Sequence, residues 1–215
     1  MHQITSSGTL LALRKLGAAT VYEAQGASGA LDSGIKPIAP GMCVCGPAFT
    51  VDTRPADNLM LHYAMLKAQP GDVLVVDAKG FMEAGPWGDV FTEQALKMGL
   101  GGLVIHGAVR DAAAIIASGF PAFCRGLSIK GTGKNQPGSI NVPITIGDVR
   151  INPGDIVLGD QDGIVVIDRH DVDAVLTKSL AREAKEAEFR QQIRNGATTV
   201  DLLGLADTLQ RLKLS

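Results

Sequence analysis

Aromatic residues make up only 4% of this 215-residue chain: one Trp, two Tyr and six Phe. So few rings leave little from which to build a base-stacking platform for single-stranded nucleic acid. Charge of one sign is lacking too. Lys and Arg total 20 against 22 Asp and Glu, for a net charge of -2, and no basic patch marks a nucleic-acid footprint. Cysteine occurs three times, at Cys43, Cys45 and Cys124, an odd number with no spaced framework, which argues against a disulfide scaffold. Cys43 and Cys45 alternate in "MCVCGPAFTV" and share one strand face, where free thiols pack as small hydrophobes. A CxC pair without two more ligands makes no soft-metal site. No apolar run approaches the roughly 20 residues of a membrane span. "MHQITSSGTLLALRKLG" has no basic region leading into a long apolar one, so no signal peptide is expected. These absences point to a soluble, cytoplasmic protein with neither nucleic acid nor membrane as partner. Low-complexity segments and linkers are also missing, so one domain is expected over residues 1–215.

What is present is a 46% hydrophobic chain with 26 glycines, suited to short elements joined by tight turns. "TSSGTLLALRKLG" opens with capping residues and spaces its leucines as a helix does. A short helix is expected around Thr20 to Gln25. "PGMCVCGPAFTVDT" reads as a strand pair or a bulged strand, broken or at an edge near Pro47. "ADNLMLHYAMLKAQPGD" reads as a helix capped near Asp57 and stopped at Pro70. "DVLVVDA" is a continuous apolar run, as in a strand buried on both faces. A helix from Val90 to Met98, the strand "GGLVIHG" and the helix "DAAAIIASGF" follow. "PAFCRGLS" and "VPITIG" read as strands, and "INPGDIVLGDQDGIVVIDRHD" as a hairpin turning at "DQDG". A long charged helix and a short tail close the chain, roughly over residues 170–215. The mixture of βα units and hairpins is α/β.

Chemistry concentrates in "GDVFTEQALKMGLGGLVIHGAVRD". Asp89 precedes a helix, twenty residues follow, and Arg110-Asp111 adjoins the next helix. The helix-strand link brings Asp89 and Arg110 back to one sheet edge. Gly88 lets a ligand approach the backbone, and the Val90 and Phe91 amides at the helix start suit an anion. Two carboxylates suit a hard cation such as Mg²⁺, and an arginine grips a carboxylate or enolate. The same residues also read as two helix caps and a surface ion pair.

The Asp89, twenty residues, Arg110-Asp111 spacing resembles the signature of the RraA-like superfamily, and of its class II pyruvate aldolases in particular. Those are the 4-hydroxy-4-methyl-2-oxoglutarate and 4-carboxy-4-hydroxy-2-oxoadipate aldolases. "ATVYEAQG", "PADNLMLH", "QPGDVLVVD", "GLVIHGAVRD", "GSINVPITIG" and "NPGDIVLGDQDGIVVI" resemble that family's phrases in order, to about Glu188. The resemblance implies an α-β-β-α sandwich of the swivelling-domain type with a C-terminal helical extension packed on a neighbouring subunit. It implies Asp111 as a direct ligand of Mg²⁺ or Mn²⁺, with Asp89 holding a metal-bound water. Arg110 would bind the pyruvyl part and stabilise its enolate, and the Gly88, Val90 and Phe91 amides would receive its carboxylate. Glu186 of a neighbouring subunit, or alternatively Glu183, would hold another metal-bound water. Asn58 would place an amide near the cleft, and Glu23 and His62 are supporting candidates. Their plainer readings are a polar group at a helix start, a helix-face charge and a structural histidine.

The implied reaction is retro-aldol cleavage of a 4-hydroxy-2-oxo acid, with side oxaloacetate decarboxylation, in aromatic-acid catabolism. A small 2-oxo acid is the implied partner, and a trimer or hexamer the implied assembly. The competing readings are a dedicated oxaloacetate decarboxylase and a regulator of an RNA-degrading enzyme; such regulators resemble this chain but are expected to be shorter at the C-terminus. A Schiff-base aldolase would need a desolvated lysine, Lys79 or Lys130 being the candidates. His106 departs from the family, which commonly carries an acidic residue there. "GTGK", Gly131 to Lys134, reads as a glycine-rich loop, with Lys134 a candidate to reach an anionic substrate tail.

Overall fold

The computed structural model describes residues 5–214. Residues 1–4, part of the stretch read as lacking a signal peptide, lie outside the described residues. In chain order the helices are α1 (Ser7–Leu16), α2 (Ala18–Ala24), α3 (Leu59–Ala64), α4 (Asp89–Met98), α5 (Ala112–Ser118), α6 (Val172–Arg194), α7 (Thr199–Leu203) and α8 (Ala206–Arg211). The first six strands are β1 (Lys36–Pro37), β2 (Val44–Asp52), β3 (Val73–Asp77), β4 (Gly102–Ile105), β5 (Ala108–Val109) and β6 (Ala122–Cys124). The rest are β7 (Gly126–Leu127), β8 (Ser139–Ile140), β9 (Ile144–Ile146), β10 (Val149–Ile151), β11 (Ile156–Gly159) and β12 (Ile164–Ile167).

The main sheet runs β1-β6-β4-β3-β2-β11-β12, with β8 also on β2. β2, β3, β4 and β6 are parallel; β11 and β12 form the expected hairpin, and β11 runs antiparallel to β2. Side-chain alternation explains how the sheet curls. Along β3, Leu74 and Val76 face α3, α4 and α5, while Val73 and Val75 face an inner core. That inner core meets Val157 of β11 and Val166 of β12 from the other side. Ile156 and Leu158, with Val165 and Ile167, point outward to Leu13, Val21 and Val175 of α1, α2 and α6. Three apolar layers result, two between helices and sheet and one between the halves of the curled sheet. This is one mixed α/β domain closed by a C-terminal helix.

Pro47 neither breaks β2 nor sits at an edge. Val44–Pro47 pair with β11, and Ala48–Asp52 with β3. The missing proline N–H therefore falls where one strand passes between the two halves of the sheet. Neighbouring Gly46 is needed there because a Cβ would come within 2.7 Å of the Gly71 carbonyl oxygen. Two helix boundaries also differ from expectation. α3 ends at Ala64, well short of Pro70, and the tail forms α7 and α8. Thr198 and Asp201 give α7 a reciprocal capping box, yet neither tail helix buries a residue.

Candidate functional site

The loop between β3 and α4, residues 78–88, delivers the Gly88–Val90 segment to the sheet edge where β5 ends in Arg110-Asp111. Its fit is steric. A Cβ on Gly85 would stand 2.5 Å from the Ser128 carbonyl oxygen and 2.9 Å from Arg110 Cβ. Gly88 has extended φ, so any residue could adopt its backbone, but a Cβ there would collide with Asp111 Oδ2. The Arg110 amide donates to the Trp87 carbonyl at 2.9 Å, fastening loop to strand.

The structure brings Asp89, Arg110 and Asp111 together. The Asp89 amide donates to Asp111 Oδ2 at 3.3 Å, and Arg110 Nε lies 3.3 Å from the same oxygen. Asp111 occupies the N-cap position of α5 without capping it, since its side chain accepts nothing from its own helix. Its backbone is left-handed, φ 57°, a conformation that costs a non-glycine residue about 1–2 kcal/mol and that Asp tolerates better than most. The plain helix-cap reading of Asp111 therefore fails. Asp89 is the first residue of α4, not its cap, which is Gly88. Its Oδ1 accepts the Val90 amide at 2.7 Å, so one of the three amides expected to meet a substrate is already engaged.

Behind α4 an apolar wall forms. Trp87 stacks on Phe91 at 5.0 Å and on Phe120 at 6.0 Å, and its Nε1 donates to Thr92 Oγ1 at 2.9 Å. His62 tilts against Phe91 at 4.5 Å. Burial pushes the His62 imidazole below its ordinary value, and the nearby Lys134 charge adds to that. Asn58 is 6% exposed; its Nδ2 donates to the Pro86 carbonyl at 3.0 Å, while its buried Oδ1 has no hydrogen-bond partner among the described residues. Asp57, which the sequence marks only as a cap, ties the "GTGK" region down. Its carboxylate accepts the Leu59 and Asn135 amides at 2.9 Å and that of Gln136 at 3.2 Å. Burial acts to raise its pKa, but these amides and Lys134 outweigh it and hold the group below the ordinary carboxylate value.

Glu23, Glu183 and Glu186 lie elsewhere in this chain. Glu186 meets Arg182 Nε at 2.9 Å and Arg190 at 3.7 Å; Glu183 meets Arg190 at 2.5 Å; Glu23 lies 3.9 Å from Arg182. All sit on the α2–α6 surface, on the opposite outer layer from α4 and α5. Within one chain Glu23 therefore does not orient Arg110. Exposed pairs of this kind contribute about 0–1 kcal/mol each and yield readily to another partner.

Neither lysine suits a Schiff base. Lys79 is held between Asp52 and Asp77, reaching Asp77 Oδ2 at 2.6 Å. Burial acts to lower its pKa, but hydrogen bonds to both carboxylates outweigh it and keep the ammonium above the ordinary lysine value. Lys130 is 63% exposed and paired with Glu83 at 2.5 Å.

The donor chemistry at Asp89 and Asp111 fits a hard divalent cation that keeps most of its waters. Each carboxylate has one oxygen not used by a backbone amide or Arg110. No group of three His, Cys, Asp or Glu able to hold a metal occurs among the described residues. Two shallow, open surface depressions, of about 230 and 300 Å³, are lined by neither Asp89 nor Arg110 nor Asp111. All three are exposed, so in one chain they stand on an open shelf. No helix described is long and apolar enough to cross a membrane.

The RraA-like family model, described as Aldolase/RraA, matches residues 18–166. A Halalkalibacterium halodurans protein provisionally named 4-hydroxy-4-methyl-2-oxoglutarate aldolase is 41% identical over 170 residues, 79% of this chain and 81% of that protein. An uncharacterized protein from Pseudomonas syringae pv. tomato superimposes with a TM-score of 0.83 at 29% identity, covering 93% of this chain and 98% of that one. Streptomyces coelicolor RraAS2, an unusual member of the RNase ES inhibitor RraA protein family, gives 0.78 at 28% identity over 87% of this chain and 98% of its own.

Proposed function

The chain belongs to the RraA-like Aldolase/RraA family, and from that premise we propose that it is a divalent-cation-dependent lyase cleaving 4-hydroxy-2-oxo acids to pyruvate and a second 2-oxo acid. The observation that carries this reading is the convergence of Asp89, Arg110 and Asp111 on one edge, with Asp111 turned away from capping its own helix. The fold is read as the α-β-β-α, swivelling-domain type, and the setting as cytoplasmic.

In this reading Asp111 would hold Mg²⁺ or Mn²⁺ directly and Asp89 would do so through water. A cation held there would supply Lewis acidity to a bound 2-oxo acid. The Gly88 and Phe91 amides receive the C1 carboxylate, and Val90 joins them when Asp89 turns from its amide. The C4 hydroxyl proton passes, through a water held by Asp89, to the Asp89 carboxylate, from which it returns when C3 is protonated. The C3–C4 bond breaks, its electron pair passes into the pyruvate enolate, and C4 becomes the carbonyl carbon of the second 2-oxo acid. Arg110 places fixed positive charge where the enolate's negative charge develops. Protonation at C3 then gives pyruvate. Loss of CO₂ from oxaloacetate reaches the same enolate, so decarboxylation accompanies cleavage. Substrates of this kind arise in aromatic-acid catabolism. The open shelf supports a trimer or hexamer in which Glu186 or Glu183 of a neighbour's α6 covers the site.

The test is pyruvate release from a panel of 4-hydroxy-2-oxo acids with Mg²⁺ and with chelator, for the wild type, Asp111→Ala and Arg110→Ala. Chelator-sensitive release that both variants lose supports the reading; release that survives chelator and both substitutions overturns it. The likeness to RraAS2 keeps a second reading, a regulator of an RNA-degrading enzyme. It is favoured if no member of the panel yields pyruvate and the protein lowers ribonuclease turnover in a purified assay.

A further inference from the structure

The loop that presents Gly88 and Asp89 starts beneath a polar cluster that the proposed chemistry leaves unused. β2 and β3 end there in Asp52 and Asp77, and His106 and Arg125 directly follow β4 and β6. Asp77 is 6% exposed. Its Oδ1 accepts the Lys79 amide at 2.9 Å and its Oδ2 the Lys79 ammonium at 2.6 Å, while Asp52 holds the same ammonium from β2. Lys79 and Gly80 both take left-handed backbone, φ 60° and 66°, so the chain makes its sharp exit from β3 on this clamp.

His106 closes the cluster from β4. Its amide donates to the Val76 carbonyl at 2.8 Å, and its carbonyl accepts the Gly80 amide at 2.9 Å. Its Nδ1 lies 3.5 Å from Asp77 Oδ1 but out of line for a formed hydrogen bond, and that nitrogen is buried with no other partner. On its far side, His106 Nε2 and Arg125 Nη1 each stand 3.2 Å from where a Cβ on Gly80 would project. Arg125 is shared at 3.9 Å with Asp32. Three carboxylates, Asp32, Asp52 and Asp77, thus face two fixed cations, Lys79 and Arg125. A proton donor at His106 Nδ1 is the group that completes the shell of the buried Asp77.

We propose that His106 is a positioning residue: by presenting Nδ1–H to Asp77 it locks the exit of the 78–88 loop and so sets the Gly88–Val90 amides against Arg110. The unformed His106–Asp77 contact, 3.5 Å at the root of the loop, is the adjustable element. Tightening it draws Gly80, and the loop behind it, toward β4. The loop carries its own reporter, since Trp87 is the chain's one tryptophan and its carbonyl accepts the Arg110 amide. The activity arm of the test rests on the aldolase reading; the fluorescence arm does not.

The experiment compares wild type, His106→Leu and His106→Asn, the last keeping an N–H donor near the Nδ1 position. Acrylamide quenching of Trp87 and steady-state kinetics with a 4-hydroxy-2-oxo acid and Mg²⁺ are measured for each. His106→Leu is expected to raise the Trp87 quenching constant about twofold and KM about tenfold with kcat changed less than about threefold, and His106→Asn to restore both. In an Asp77→Asn background, His106→Leu is expected to add little, because the two act through one contact. Wild-type quenching in a folded His106→Leu protein, or a His106→Asn protein no better than the leucine variant, overturns the proposal. If no substrate turns over, the aldolase reading fails while the quenching series still decides the role of His106.

Discussion

The amide of Asp89 donates to the carboxylate of Asp111 at 3.3 Å, across 22 positions of sequence. That bond is long, and it joins the first residue of one helix to the residue that precedes another. It makes Asp111 part of the α4 terminus instead of a cap for α5. An acceptor aimed at a helix N-terminus also benefits from the positive end of the helix dipole.

The first prediction separates chemistry from backbone tolerance at Asp111. Asn adopts left-handed backbone nearly as readily as Asp, so Asp111→Asn should abolish cleavage while leaving the melting temperature almost unchanged. Asp111→Ala should lose activity and also about 1 kcal/mol of stability, because a Cβ without a polar group pays the full left-handed cost. Thermal melts beside the pyruvate assay read both effects; a stable, active Asp111→Asn protein would remove the carboxylate from the mechanism.

Gly88→Ala tests the close approach of the loop. The added Cβ meets Asp111 Oδ2 and stands 3.1 Å from Arg110 Nε. Both functional groups must shift, and a shift of about 1 Å at a reacting centre can cost about 100-fold in rate. We expect that loss in kcat/KM with an intact circular dichroism spectrum. Activity within about threefold of wild type would show that the cleft tolerates displacement there.

Asp57 predicts an acid limb of stability. Its folded pKa is held below the ordinary carboxylate value. The stabilisation is therefore fully present above the ordinary value and is lost as pH falls through the lowered one. Asp57→Asn should melt lower than wild type at neutral pH, and its melting temperature should fall less steeply between about pH 5 and pH 2. Parallel pH profiles for the two proteins would contradict this.

His62 should titrate below an ordinary histidine in an NMR pH series, since burial and Lys134 both disfavour its charged form. Lys134→Met removes the charge but not the burial, so the midpoint should rise without reaching the ordinary value. A midpoint insensitive to Lys134 would mean that the "GTGK" loop stands away from α3 in solution.

Sharing of the site between subunits is tested by mixing two inactive proteins. After subunit exchange, Asp111→Ala and Glu186→Gln chains should recover activity, because the intact Asp111 of one chain then meets the intact Glu186 of its neighbour. Native mass spectrometry confirms that exchange occurred. Mixed oligomers that remain inactive would return Glu186 to its ion pairs with Arg182 and Arg190.

Much of the fold was legible because its cause is local. "VLVVD" announces a strand covered on both faces, and it is buried at every position. "DQDG" between two apolar runs announces the β11–β12 hairpin. Pro47 misled because a proline inside a strand normally marks an edge, and a strand that changes partners midway leaves no local trace. The cluster of Asp89, Arg110 and Asp111 was legible through its spacing, and the family match over residues 18–166 agrees with the family resemblance read from it. The cluster of Asp52, Asp77, Lys79 and His106 was not, since its members come from three strand ends and their loops and repeat no pattern.

By itself the sequence determined the elements, their apolar faces and the presence of two carboxylates and an arginine at helix starts, because periodicity, turn chemistry and residue type act over a few neighbours. Only the tertiary structure decided that Asp111 serves the α4 terminus and not its own helix, that Asp89 already holds the Val90 amide, and that Glu23 and Glu186 face away from Arg110. Those outcomes depend on where the curled sheet brings distant strand ends, and on the room that Gly85 and Gly88 leave there. Close approach of distant backbone is a property of packing, to which no stretch of a dozen residues has access.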